Sequence, residues 1–347
     1  MRRIALNMLD SGQPWIKYTA LINPTKEGLV SQDILGVDVG GTLLRAARFD
    51  LDLNMLDRAE QATRSELGSE VILERLVGTI RQVLPEAGGS PLGIGLAMPG
   101  PLDVREGIVI ATPNLPWKNF PIRDLLAGRF GCPVHLGNDA DLAGLAEHQL
   151  GAGRGARTMV YMTISTGVGG GIIIDGRPFS GRGQGGEVGH MVVDPDGPLC
   201  GCGHPGHVES FSSGTGIARI ARTRLEAGEE SSIRDLVDGD LSKVTSIVVG
   251  QAAQAGDPLA SEIIRQAGRY LGMGIASLMS ALNPEMFVLG GGVTKLGDLL
   301  FEPMREAVRE YAMHPRFYEN TPIVRAELGS DVGLLGAAAL VRLMQAG

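Results

Sequence analysis

Four side chains of metal-binding type crowd between positions 190 and 207: His190, Cys200, Cys202 and His207, in the run GHMVVDPDGPLCGCGHPGHVE. Two thiolates and two imidazoles suit tetrahedral zinc, and a site closed by four protein ligands is structural rather than catalytic. The glycines and prolines of the run let a short loop wrap an ion. His204 is an alternative to His207 as the fourth ligand, although Pro205 restricts the backbone of the residue before it. The plainer reading of the same residues is two free buried cysteines beside exposed histidines.

A second constellation is Asn138-Asp139, with Asp141 two residues on. Carboxylates before a helix are ordinarily caps or first-turn acids. Here they stand between glycine runs that follow apolar stretches: VGGT (39–42), STGVGG (165–170) and GGG (290–292). Glycine lets backbone N–H groups approach an anion with no Cβ in the way. One such run is ordinarily only a tight turn, but three at like junctions point to phosphate. None fits GxxxxGK[ST], and GVGGGI lacks the setting of a dinucleotide fingerprint.

These residues need elements to hold them. ILGVDV (34–39) reads as a buried strand and LLRAARFD (43–50) as its hairpin partner across a glycine turn. Val71, Leu73, Leu76, Val77, Ile80 and Leu84 recur at helical spacing over 66–83, and LGIGLAM (92–98) returns to strand. A strand ending near CPVHLGND leads into the helix ADLAGLAEHQLGAG. TMVYMTIS (158–165), GVGGG and IIID (172–175) repeat the strand, glycine turn, strand order of the first block, a weak internal symmetry. Asp257-Pro258 starts a long apolar-faced helix that stops before Pro284, MFVLGGGV (286–293) is another strand into glycine, and 332–344 is a closing helix. Alternation of strand and helix predicts an α/β protein in two lobes.

Of 347 residues 51 are glycine, without a collagen period, and 44% hydrophobic with 20% charged residues excludes a disordered chain. A net charge of −8 supplies no electrostatic footprint for nucleic acid. Three cysteines make no disulfide framework. Asn7, Asp10 and Pro14 break any signal-like start, and Asn283, Pro284 and Glu285 interrupt the most apolar later stretch, so no membrane segment is expected and the setting reads as cytoplasmic. Residues 1–33 lack periodicity and are taken as an extension.

The series DVGGT, MPGPLD, PNLPW, NDAD, TGVGGG, GEVGH, CGCG..GH.E and LGGGV resembles, in order over about 34–346, the ROK family of sugar kinases and related repressors, and within it the bacterial glucokinases. The resemblance implies the actin-like, ribonuclease H-like ATPase fold, two α/β lobes about a central cleft. The lobes would be 34–137 plus 331–347 (small) and 138–330 (large, with a zinc loop at 190–207). It implies ATP and Mg²⁺ bound by Asp38, Gly40, Gly41, Thr42, Thr166, Gly167, Gly169, Gly170, Gly291 and Gly292, with Asp38 near the ion. Asp139 matches the catalytic base. Asn138, Asp139, Glu187, His190 and Glu209 match sugar-binding positions, with Asn114 a weaker match. His190 would bind structural Zn²⁺ through one nitrogen and a sugar hydroxyl through the other. This chain departs from the family pattern at His207, where a third cysteine is usual, and at Asp141, where asparagine is.

The implied function is ATP-dependent phosphorylation of a hexose 6-hydroxyl, first of all glucose, by a homodimer or homotetramer without nucleic-acid or membrane partners. An N-acetylmannosamine or N-acetylglucosamine kinase is the nearest alternative. A sugar-responsive transcriptional regulator is the alternative from another class; it would carry a helix-turn-helix domain ahead of the kinase-like part, where only 33 residues precede ILGVDV here.

Overall fold

Ile34, Leu35, Val37 and Val39 bury the first strand and Leu44, Ala46, Ala47 and Phe49 the second, and the chain returns to the same design once. The computed structural model describes residues 32–84, 90–112 and 114–345; the extension reading for 1–31 lies outside them. β1 (Ile34–Val39) pairs antiparallel with β2 (Leu43–Phe49), and β2 with β3 (Met55–Ala62). Helix α1 (Ser69–Gln82) crosses back to β4 (Gly93–Met98), which lies parallel to β1. A small sheet, β5 (Leu102–Asp103), β6 (Ile108–Thr112) and β7 (Leu115–Phe120), precedes α2 (Ile122–Phe130) and β8 (Val134–Asn138), which completes a sheet ordered β3-β2-β1-β4-β8.

After α3 (Asp139–Leu150) the pattern recurs with β9 (Thr158–Ile164), β10 (Val168–Ile174) and β11 (Arg177–Pro178). Helices α4 (Val208–Ser212), α5 (Gly214–Glu226), α6 (Ile233–Leu236), α7 (Ser246–Gln254) and α8 (Pro258–Leu282) follow. Then come β12 (Met286–Gly290), α9 (Asp298–Tyr311), α10 (Arg316–Glu319), β13 (Ile323–Arg325) and α11 (Val332–Gln345). The second sheet is ordered β11-β10-β9-β12-β13, with two antiparallel and two parallel pairings in the same positions as the first. The weak symmetry of the glycine turns is thus a symmetry of whole sheets.

Two expectations need correction. Val71 is exposed and Ile72 takes the inward place, because a 3-10 turn (Ser65–Leu67) and Gly68 delay the start of α1 to Ser69 and set its phase. The GVGGG run is not all turn: only Ser165–Gly167 is, while Gly169, Gly170 and Gly171 pair within β10 against Thr163, Met162 and Tyr161. The long helix is as expected. Asp257 Oδ1 caps α8 by accepting the Ala260 N–H at 2.8 Å, Pro258 opens it, and Asn283 ends it with left-handed backbone.

One core fills each sheet's helix-covered side: Leu35, Leu76 and Leu96 in the first, Ile263, Leu271 and Phe287 in the second. A third core lies between the sheets, where α11 packs on β1, β4 and α3, and α3 on β9 and β10. Glycines set the spacing there. A Cβ at Gly36 or Gly95 would land on the carbonyls of Leu334 or Ala337 in α11, and one at Gly336 on the carbonyl of Leu142 in α3. The two helices therefore hold the halves together backbone to backbone. Glu147, fully buried near the end of α3, accepts N–H bonds from Ala152, Glu327 and Leu328 and so fixes the connector into α11. No helix among the described residues is long and apolar enough to cross a membrane.

Candidate active site and metal centre

Two cavities lie along the cleft and share one turn. The first, about 720 Å³, is lined by Pro99–Pro101, Asn138, Asp139, Thr163, Gly167, Gly169, Gly170, Gln184, Glu187, His190 and Glu209, with Ser165 and Thr166 at one end. The second, about 710 Å³, is lined by Ser165 and Thr166 again, by Gly214, Thr215 and Arg222 of α5, by Thr245–Ile247, Gln251 and Gln254 of α7 and its approach, and by Gly292 and Lys295.

Asp139 opens α3 at the C-terminal end of β8. Asn138 is a true helix cap, accepting the Ala140 N–H on Oδ1 at 2.9 Å, and Asp139 Oδ1 accepts the same N–H at 2.8 Å. The capping reading and the functional one therefore coexist: the cap fixes the carboxylate at the cavity wall. Solvent reaches Asp139 through the cavity, yet the surrounding protein raises its carboxyl above the usual range, and the charges of Asp38 and Glu187 add to this.

Asp38 closes β1 opposite Arg45 of β2, and the two form an ion pair. Burial raises the Asp38 carboxyl and Arg45 opposes this. Beside it, Thr63 Oγ1 donates to the Gly40 carbonyl at 2.6 Å, and Gly41 gives room to Asn114, whose Cβ would stand 2.5 Å from an added one. Asn114 thus sits against the first glycine turn and not among the lining of the first cavity. Arg45 engages Oδ2 of Asp38, so Oδ1 is the hard oxygen donor left for Mg²⁺, and a carboxylate of this kind fits that ion.

The second turn is held from α5. Gly214 N–H donates to Ser165 at 2.7 Å, Thr215 Oγ1 donates to the Thr166 carbonyl at 2.8 Å, and Ser213 caps the helix, so the positive end of α5 points at the turn shared by the cavities. Gly291 has φ +90 and lies so close to Ile164 that a Cβ would meet its backbone, whereas Gly292 is open to the second cavity. Gly169 and Gly170 instead make room for Ala140 and for Gly186–Val188, and they line the first cavity only. Gly214, Thr215, Arg222, Gln251, Gln254 and Lys295 carry no recognisable spacing in the sequence; the SSGTG capping pattern at 212–216 is the one signal there.

At the metal centre the four expected ligand atoms lie within 4.8 Å of one another. His190 Nδ1 is 3.3 Å from His207 Nδ1 and 3.6 Å from Cys200 Sγ, and Cys202 Sγ is 3.3 Å from His207 Nδ1. A tetrahedron with Zn–N near 2.0–2.1 Å and Zn–S near 2.3 Å has edges of roughly 3.3–3.8 Å, so the residues present fit zinc. His204 is exposed, with Nδ1 3.8 Å from Cys202 Sγ, and is not one of this group of four. Gly206, at φ +73, packs on the Asp194 carbonyl where no Cβ fits, and its own carbonyl accepts Val193 N–H at 2.9 Å, folding the loop back. Glu209 ties this loop to the cleft: Oε1 accepts from Cys200 Sγ at 3.2 Å and Oε2 from Val168 N–H at 2.9 Å.

Paired α/β sheets of one design, glycine turns at their strand ends and a carboxylate in one of two cavities that share a turn define the actin-like ATPase class. The chain belongs to the ROK family, whose sequence profile matches residues 34–343. It is 37% identical to the glucokinase of Halalkalibacterium halodurans over 314 residues, 89% of this chain and 94% of that one. The ROK hexokinase from Thermus thermophilus superposes with a TM-score of 0.79 at 40% identity, covering 91% of this chain and 100% of the other. The ROK glucokinase from Streptomyces griseus in complex with glucose and AMPPNP gives 0.75 at 34%, covering 90% and 99%.

Proposed function

We propose that the protein is an ATP-dependent hexose kinase acting on the 6-hydroxyl, and that its sugar is glucose, converted to glucose 6-phosphate. The observation that carries this reading is the sharing of Ser165 and Thr166 by the two cavities: a phosphoryl group at that turn faces the cavity that holds Asp139. Relatives that bear the names glucokinase and hexokinase support it.

In this reading the cavity on the α5–α7 side takes ATP, with Thr166 and Gly292 at the nucleotide and the N-terminus of α5 toward its phosphates. Asp139 accepts the proton of the sugar 6-hydroxyl as that oxygen attacks the γ-phosphorus. Asn138, Glu187, His190 and Glu209 orient the hydroxyls, since carboxylates accept from them, an imidazole N–H donates to them and an amide does both. Asp38 holds Mg²⁺, which when bound neutralises charge on the phosphates. His190, Cys200, Cys202 and His207 would hold zinc, which when bound would fix the loop that presents His190 and Glu209.

The same reading divides the chain into a small lobe, 34–137 with 331–347, and a large lobe, 138–330, supported by the separate cores and the α3–α11 seam between them. It takes the enzyme as a cytoplasmic homodimer or homotetramer with no nucleic-acid partner, in keeping with its acidic charge. The test is a coupled assay with Mg-ATP over a panel of glucose, mannose, N-acetylglucosamine and N-acetylmannosamine. Glucose is expected to be turned over with the highest kcat/KM; no turnover of any hexose overturns the reading.

A further inference from the structure

Asp141 follows the proposed base by two residues but points into protein instead of the cavity. It is 8% exposed, and its Oδ1 is buried with no hydrogen-bond partner. That atom lies against Gly186, where an added Cβ would stand 3.3 Å from it, in the segment that runs straight into Glu187. On the other side Gly171 of β10 comes so near that a Cβ would be 3.0 Å from the Cα of Asp141. Asp141 is therefore walled in by strand backbone and by the Gly185–Glu187 segment.

An ionised carboxylate in such a place is costly unless it is paired. The groups that act on it are acids: Glu187 from the covering segment, then Asp139 on its own helix. Two turns along α3 the ring of His148 is engaged through Nε2 with the Ala156 carbonyl at 2.7 Å, and Arg177 and Arg182 around the covering segment are exposed. The β10 wall brings glycine.

We propose that Asp141 is a positioning residue for the sugar site: its neutral form lets the Gly185–Glu187 segment seat on α3 with Glu187 beside Asp139, and its ionised form drives Glu187 off the hexose. The proposal rests on the hexose-kinase reading. Burial, with Glu187 and Asp139 adding to it, pushes the Asp141 carboxyl up to about 7, so both forms are populated near neutral pH. Hexose held by a seated Glu187 favours the neutral form, so binding takes up protons and affinity falls as pH rises through that range.

The experiment compares kcat and KM for glucose from pH 6 to 9 in the wild type and in Asp141→Asn, which keeps the shape and cannot ionise, together with calorimetric proton uptake on glucose binding in two buffers. In the wild type KM should rise roughly three- to tenfold while kcat moves less, a coupling of up to about one pH unit. In Asp141→Asn the rise and the uptake should vanish. Glu187→Gln, at a higher KM, should flatten the same limb, and it decides the matter if Asp141→Asn does not fold. A wild-type KM independent of pH, or an equal rise in the variant, overturns the proposal. Absence of hexose turnover by the wild type at every pH from 6 to 9 instead overturns the kinase reading.

Discussion

Nδ1 of His190 and Nδ1 of His207 lie 3.3 Å apart, so both rings turn the same nitrogen toward the thiols, and Nε2 of His190 is left facing Glu187 Oε2 at 3.9 Å. One imidazole thus faces the Cys/His group on one edge and the first cavity on the other. A ring whose orientation is fixed by a metal offers its second nitrogen at a defined place.

Purified protein should carry about one zinc per chain. Cys200→Ser should lose the metal, lower Tm and raise the KM for glucose, because the loop presenting His190 and Glu209 loosens. His204→Ala should keep metal, Tm and KM. Metal analysis with thermal melts checks both; zinc loss in His204→Ala would move the fourth ligand.

Asp139→Asn should lower kcat by about 10²–10⁴-fold, the range for loss of a positioned base, while calorimetry still detects glucose binding. Unchanged turnover would remove Asp139 from the reaction.

A proton-accepting Asp139, as proposed, must be ionised, and its surroundings raise its carboxyl above the usual range. Activity should therefore fall as pH is lowered, starting nearer neutrality than an ordinary aspartate would allow. A kcat/KM profile flat down to the usual carboxylate range contradicts this.

Asp141 also bears on stability. Its folded-state pKa of about 7 lies above the ordinary 3.8, so the folded chain binds the proton more tightly than the unfolded one. This favours folding at low pH, and stability is lost as pH rises between the two values. Asp141→Asn should be more stable than wild type at pH 8, with the difference shrinking toward pH 4, measured by urea midpoints.

Gly336→Ala should destabilise by about 1–3 kcal/mol through overpacking against Leu142. Gly78→Ala on α1, where an added Cβ meets nothing within 4 Å, should instead stabilise by roughly 0.5–1 kcal/mol. Denaturation midpoints of the two variants separate spacing from propensity.

Local chemistry was legible where one residue type admits few uses. Asp257-Pro258 and Asn283-Pro284 bounded α8 because cap and proline geometry are decided by neighbours in sequence. His190, Cys200, Cys202 and His207 could be grouped because they share one loop; choosing His207 over His204 needed the fold of that loop around Gly206. Gly169–Gly171 resembled a turn because glycine permits turns and close packing alike, and which of the two applies depends on α3, a distant partner. The second cavity was least legible: Arg222, Gln251 and Lys295 are ordinary surface types, brought together only by the packing of α5, α7 and the turn after β12.

The glycine-spaced seam of α3 and α11 has a mechanical consequence. The glycines bring the two helices to carbonyl distance while Leu142, Leu145, Leu334 and Val341 interlock around the contact, so the halves meet as a close-set joint and not across a spacer of side chains. Any motion of the cleft has to bend or repack that joint, and the bonds of Glu147 to the α11 connector brace it further.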